Sequence, residues 1–155
     1  NPEYLRLILK FGGNPSSVSN NGEDSALKIA FDLGDARDQW INYYALIEAG
    51  ANINYVTPTD RSIATDAIAI GWPSKVIELL DYGYEQDLDQ LARYVYGRYI
   101  NPEHEEYMNK GVVLRMLRDR GVDVKKAKDK VREGDKLNGV ESETDMGFEK
   151  LLETP

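Results

Sequence analysis

Apolar residues along this chain fall three and four apart in short runs, each run closes on a glycine, and polar, turn-rich stretches separate the runs. That spacing predicts amphipathic helices. Residues 2–11 carry Leu5, Ile8 and Leu9 at helical spacing with Leu7 beside them, and Asn1-Pro2-Glu3 supplies a capping asparagine and a proline at the first helical position. A polar arm over 14–24 follows, and its Asn21-Gly22 step suits a tight hairpin. Ser25 then caps a short helix that carries Leu27, Ala30 and Phe31 toward Gly34. A second helix over about 38–49 packs through Trp40, Ile41, Tyr44, Leu46 and Ile47.

The next unit repeats this grammar. An arm spans 51–61, Ser62 caps an inner helix running through Asp66, Ala67 and Ile70 to Gly71, and an outer helix covers 73–82 with Pro73 in its first turn. The third arm, 84–88, is too short for a full hairpin. A tyrosine-rich helix over 89–99 comes next. Asn101-Pro102-Glu103 then repeats the opening start signal and predicts a helix over 102–120, with Tyr107, Val113, Met116 and Leu117 facing inward. Beyond Val124 the chain turns charged, so 127–155 reads as a capping helix or tail, with Met146, Phe148, Leu151 and Leu152 available to cover the last repeat.

The helix ends share more than a pattern. Gly12, Gly50, Gly83 and Gly121 each close an apolar run, at steps of 38, 33 and 38 residues. Glycine enters the left-handed region at little steric cost, which is what a helix C-terminal cap needs. A near-constant period of this size is the mark of stacked repeats.

At these residues the chain resembles the ankyrin repeat family. The stretch Leu46-Ile47-Glu48-Ala49-Gly50-Ala51-Asn52-Ile53-Asn54 is similar to the family's Leu-Leu-x-x-Gly-Ala-Asp/Asn-Val-Asn ending, and Ser25-Ala26-Leu27-Lys28-Ile29-Ala30 to its Thr-Pro-Leu-His-x-Ala turn. Gly71 and Gly83 stand as far apart as the family's two glycines, with Ser62 at the threonine position. The threonine-proline pair never occurs intact, and the helix between Gly34 and Gly50 carries extra residues. The resemblance covers roughly 2–126. It implies an all-α, ankyrin-type solenoid of stacked helix pairs with short hairpin arms, about three and a half repeats with the first incomplete. Arm tips and inner-helix ends then line a concave, partner-binding face. Carried onto this sequence, those positions are Asn20, Asn21 and Glu23; Asp32 and Leu33; Pro58, Thr59 and Arg61; and Ala69 and Ile70.

Composition narrows the partner. Nineteen basic against 27 acidic residues give a net charge of −8, and the pI is near 4.7. Long-range attraction to nucleic-acid phosphates or anionic lipid is therefore unfavourable, and a basic protein partner fits better. No apolar run approaches the roughly 18 residues needed to cross a bilayer, so the chain reads as cytoplasmic or periplasmic, with any segment before Asn1 left open. Oligomeric state is not legible. Without cysteine there is no disulfide framework, thiol nucleophile or cysteine metal site.

Candidate chemistry is sparse. His104, the one histidine, could work with Glu103, Glu105 or Glu106 as a small enzyme's acid–base pair, but a solvated surface histidine is the simpler reading. Asp81, Glu85, Asp87 and Asp89 lack the alternating oxygens and mid-loop glycine of a calcium loop. No cofactor or metal is expected. Of ten tyrosines, most fall in helices as packing residues, while Tyr55 lies in the arm, where an exposed aromatic side chain suits an interface anchor. The expectation is a non-catalytic binding module, an inhibitor or immunity-type protein that neutralises a bacterial toxin or effector. A scaffold segment of a longer ankyrin array is the alternative.

Overall fold

The structure, a computed structural model, describes residues 1–37 and 40–137. Among these the chain is all-α. Its helices are α1 (Pro2–Lys10), α2 (Ala26–Arg37), α3 (Ile41–Glu48), α4 (Ile63–Ile70), α5 (Pro73–Asp81), α6 (Leu88–Gly97), α7 (Glu106–Asp119) and α8 (Val124–Leu137). Extended pairing among the described residues is confined to two isolated antiparallel bridges, Val18 with Ser25 and Val56 with Ser62. The chain forms two compact units, Asn1–Ile63 and Ala64–Pro155.

Helix endings explain the glycine spacing. At Gly50, φ is +80°, its N–H reaches the Ile47 carbonyl, and the Ala51 N–H reaches back to Leu46. This pair of bonds is a Schellman cap, and it satisfies two carbonyls that the last helical turn leaves open. The same two bonds close α1 at Gly12, α4 at Gly71, α5 at Gly83 and α7 at Gly121. Two residues after the capping glycine, an acceptor side chain then redirects the chain. Asn14 accepts the Ser16 N–H, Asn52 accepts the Asn54 N–H, and Asp123 accepts the Lys126 N–H as the cap of α8.

In the first unit α3 packs against α2 and α1. The core is Leu27, Phe31, Tyr43 and Leu46, with Trp40 against the rings: Phe31 to Trp40 is 5.5 Å and Trp40 to Tyr43 is 5.7 Å between centroids, both edge-on. Gly34 does not end its helix. It is buried inside α2, and its missing Cβ makes room for the Trp40 indole. Two expected packing roles also change. Ile41 is exposed, and α1 buries none of its residues, leaving Tyr4, Leu7, Ile8 and Phe11 toward solvent.

In the second unit α5 packs on α7, and α6 on α7 and α8. Val76, Leu79, Leu80, Leu91, Val95, Val113, Leu114 and Leu117 are buried here, and Tyr107 and Met116 are half-buried. The start signal at Asn101 is used only locally, its side chain accepting the Glu103 N–H. Helix α7 begins later, at Glu106, where His104 Nδ1 accepts the Glu106 N–H at 3.2 Å. Helix α8 runs from Val124 to Leu137, spanning the start of the stretch expected to form a capping helix or tail. Met146, Phe148, Leu151 and Leu152 lie outside the described residues.

Candidate functional site

Both arms of the first unit are hairpins, built as the turn residues dictate. Gly22, at φ +73°, turns the first, where its N–H reaches the Ser19 carbonyl and the Ser19 N–H the Asp24 carbonyl. Asp60, at φ +56°, turns the second, with the Thr57 N–H on the Arg61 carbonyl. Asn and Asp tolerate this conformation better than other residues bearing a Cβ.

The second arm is laced onto the first. The Tyr55 hydroxyl donates to the Gly22 carbonyl at 2.7 Å, the Thr59 hydroxyl to Glu23 Oε2 at 2.8 Å, and the Asn52 N–H to the Ser16 hydroxyl at 2.8 Å. A Cβ on Gly22 would stand 3.1 Å from the Tyr55 hydroxyl and 3.2 Å from Pro58 Cγ. Tyr55 is thus half-buried rather than an exposed aromatic, and its polar end is spent on the neighbouring arm. Replacing Tyr55 with phenylalanine should lower the stability of the chain by about 1 kcal/mol, since one hydrogen bond is lost and the ring remains. A urea midpoint unchanged by the substitution would mean that the hydroxyl braces nothing.

Glu23, Tyr55, Pro58 and Thr59 therefore meet around Gly22. Asn20, Asn21, Pro58, Thr59 and Arg61 are exposed, and Asn21 Oδ1 accepts from the Ser19 hydroxyl and the Glu23 N–H. Asp32 and Leu33 are exposed on α2, where Asp32 pairs with Lys28 at 2.7 Å. Pairs of this i, i+4 kind on a helix surface contribute only tenths of a kcal/mol.

Ala69 and Ile70 belong to the second unit and are exposed at the end of α4. Beside Ala69 lies a groove of about 410 Å³, lined by Ile68 and Ala69 from α4 and by Gln90, Arg93, Tyr94, Gly97 and Arg98. The last five fall at i, i+3, i+4, i+7 and i+8, one stripe of α6 and its C-cap. Gly97 adds no side chain, so the floor stays open there. Neither the Arg93 nor the Arg98 guanidinium has a hydrogen-bond or ion-pair partner among the described residues. Sequence reasoning missed this groove, because arginine and tyrosine on a surface helix look like any solvated face. The available signal was Gly97, a small residue inside that stripe.

Other candidates are structural. His104 is exposed, and its Nδ1 accepts the Glu106 N–H at the start of α7. Glu106 is buried and caps α5: its carboxylate accepts the Ser74 N–H at 2.8 Å, the Ser74 hydroxyl, and Asn109 Nδ2 at 3.1 Å. Asp81, Glu85, Asp87 and Asp89 are all exposed. Among the described residues no group of three or more His, Asp or Glu side chains is placed to hold a metal ion, and no helix is long and apolar enough to cross a membrane. No protein-family model, curated protein or solved structure matches the chain.

Proposed function

We propose that the chain is a non-catalytic protein-binding module of ankyrin-repeat type, an inhibitor or immunity-type protein that holds a partner protein, such as a bacterial toxin or effector. The observation that carries this reading is the laced pair of arms. Hydrogen bonds from Tyr55, Thr59 and Asn52 fix the second hairpin on the first, so Asn20, Pro58 and Arg61 are presented from a braced platform. Preorganisation of that kind lowers the entropic cost of binding. The Schellman-capped helices at steps of 33 and 38 residues support the repeat assignment, and the net charge of −8 favours a basic partner.

The test keeps the three lacing hydrogen bonds of Tyr55, Thr59 and Asn52 and changes residues at the arm tips. The unsubstituted chain and an Asn20→Ala/Arg61→Ala variant with the same melting curve would each be used to capture proteins from native lysate. A partner retained by the first and lost by the second is the expected result. Equal capture would overturn the arm-tip assignment. Elution at moderate salt would further mark the contact as electrostatic.

A further inference from the structure

Helix α1 has two apolar faces. Leu5 and Leu9 are half-buried on the first, where the helix leans on α3. Tyr4, Leu7, Ile8 and Phe11 form the second, a stripe at i, i+3, i+4 and i+7 with Phe11 at the C-cap, and every one of the four is exposed. Tyr4 is 67% and Phe11 79% exposed, so the largest apolar side chains here are the least covered. Contiguous apolar patches of this kind mark interaction sites.

The stripe is the same in both directions. From Tyr4 to Phe11 it runs aromatic, branched aliphatic, branched aliphatic, aromatic, and its centre falls between Leu7 and Ile8. An antiparallel copy of α1 laid on that centre sets Tyr4 against Phe11 of the second copy, and Leu7 against its Ile8. A two-fold axis makes each contact twice, which is the self-complementarity of an isologous interface.

Charge selects the same register. Glu3 and Lys10 are both exposed and stand two turns apart, on one flank of the stripe. In the antiparallel pair that flank faces its own copy, and Glu3 comes level with Lys10 of the second copy to about 3 Å along the axis. Two chains of net charge −8 repel one another in general, but α1 carries Arg6 and Lys10 against Glu3 alone, so repulsion is least at this helix. A basic partner protein would meet Arg6 and Lys10 here and gains nothing from them.

We propose that the Tyr4, Leu7, Ile8 and Phe11 face is a homodimer interface, in which α1 packs antiparallel on α1 of a second copy with Glu3 paired to Lys10 across the two-fold axis. Area sets its strength. An aromatic side chain offers about 150–250 Å², and the two stripes together come to roughly 1,000 Å², the low end for a specific contact. The dimer is therefore weak and depends on concentration. The inference goes beyond the partner-binding reading and does not rest on it.

Sedimentation equilibrium of the unsubstituted chain from about 1 μM to 1 mM measures the association, and a monomer–dimer equilibrium within that range is the expected result. A Leu7→Gln/Phe11→Gln variant should stay monomeric throughout, with the melting curve of a dilute sample unchanged because both side chains are exposed. Two charge reversals test the register. Glu3→Lys and Lys10→Glu each turn both ion pairs repulsive, so each variant alone should dimerise on the order of tenfold more weakly. Mixed in equal amounts, the two should regain the unsubstituted affinity, because every pair across the axis is then opposite in charge. A chain monomeric over the whole range would overturn the proposal, as would a dimer that survives Leu7→Gln/Phe11→Gln. A mixture no tighter than its components would overturn the antiparallel pairing. None of these outcomes involves the arm tips, so this reading and the capture experiment fail separately.

Discussion

Replacing Glu106 with alanine should cost the chain about 3–4 kcal/mol, the largest loss expected from any single polar residue here. Helix α5 starts with Pro73, which has no N–H, and the preceding Trp72 offers no side-chain cap. The first exposed donor of the helix is therefore the Ser74 N–H. Glu106, 32 residues away and 4% exposed, accepts it together with the Ser74 hydroxyl and the Asn109 amide. A carboxylate at a helix N-terminus also meets the positive end of the helix dipole. Alanine leaves these donors without their acceptor at a half-buried site, and each stranded group costs about 1–3 kcal/mol. Glu106→Gln keeps one acceptor oxygen and the shape, so it should cost less than half as much. Urea unfolding of both variants decides the point. If alanine and glutamine cost the same, the carboxylate is not the cap of α5.

That cap shows where sequence reading stops. The Schellman glycines were legible because each is a local backbone event, announced by an apolar run and a residue without a Cβ. Helices α4 and α5 were legible for the same reason, with Gly71 and Pro73 marking their limits. Contacts between distant stretches were not. Nothing near Tyr55 says that an earlier arm offers the Gly22 carbonyl, so it read as an exposed anchor when it is a brace. The Asn101 signal was real as a turn, but the helix starts only at Glu106, whose N–H His104 accepts locally and whose carboxylate caps Ser74 of the distant α5. The groove along α6 was invisible for a related reason. Arginine on a surface helix is unremarkable until α4 supplies the apolar wall that makes a cavity beside it.

Gly34 is the residue whose role is most altered by the structure, and Gly34→Ala is the substitution where two general rules disagree in sign. In a helix interior, alanine is favoured over glycine by about 1 kcal/mol. Gly34 lies inside α2 with an ordinary helical φ, so propensity alone predicts a gain. Its Cβ, however, would fall 2.5 Å from Trp40 Cε3 and under 3 Å from two further ring atoms. The indole cannot easily yield. It sits edge-on to Phe31 and Tyr43, both fully buried, and Tyr43 in turn stacks edge-on with Tyr44 at 5.2 Å. Overpacking of a filled core costs about 1–3 kcal/mol and sometimes more. With a rigid ring at 2.5 Å the upper part of that range applies, so the net expectation is a loss of about 2 kcal/mol. A double-mutant cycle isolates the cause: in a Trp40→Leu background the added methyl meets no indole, and Gly34→Ala should become neutral or stabilising. If Gly34→Ala stabilises the wild-type chain instead, propensity has won and Trp40 does not rest on this glycine. The outcome also bears on binding, because Leu33 is the immediate neighbour of Gly34 and Asp32 the next residue back. A displaced indole would shift the middle of α2, which carries Asp32 and Leu33.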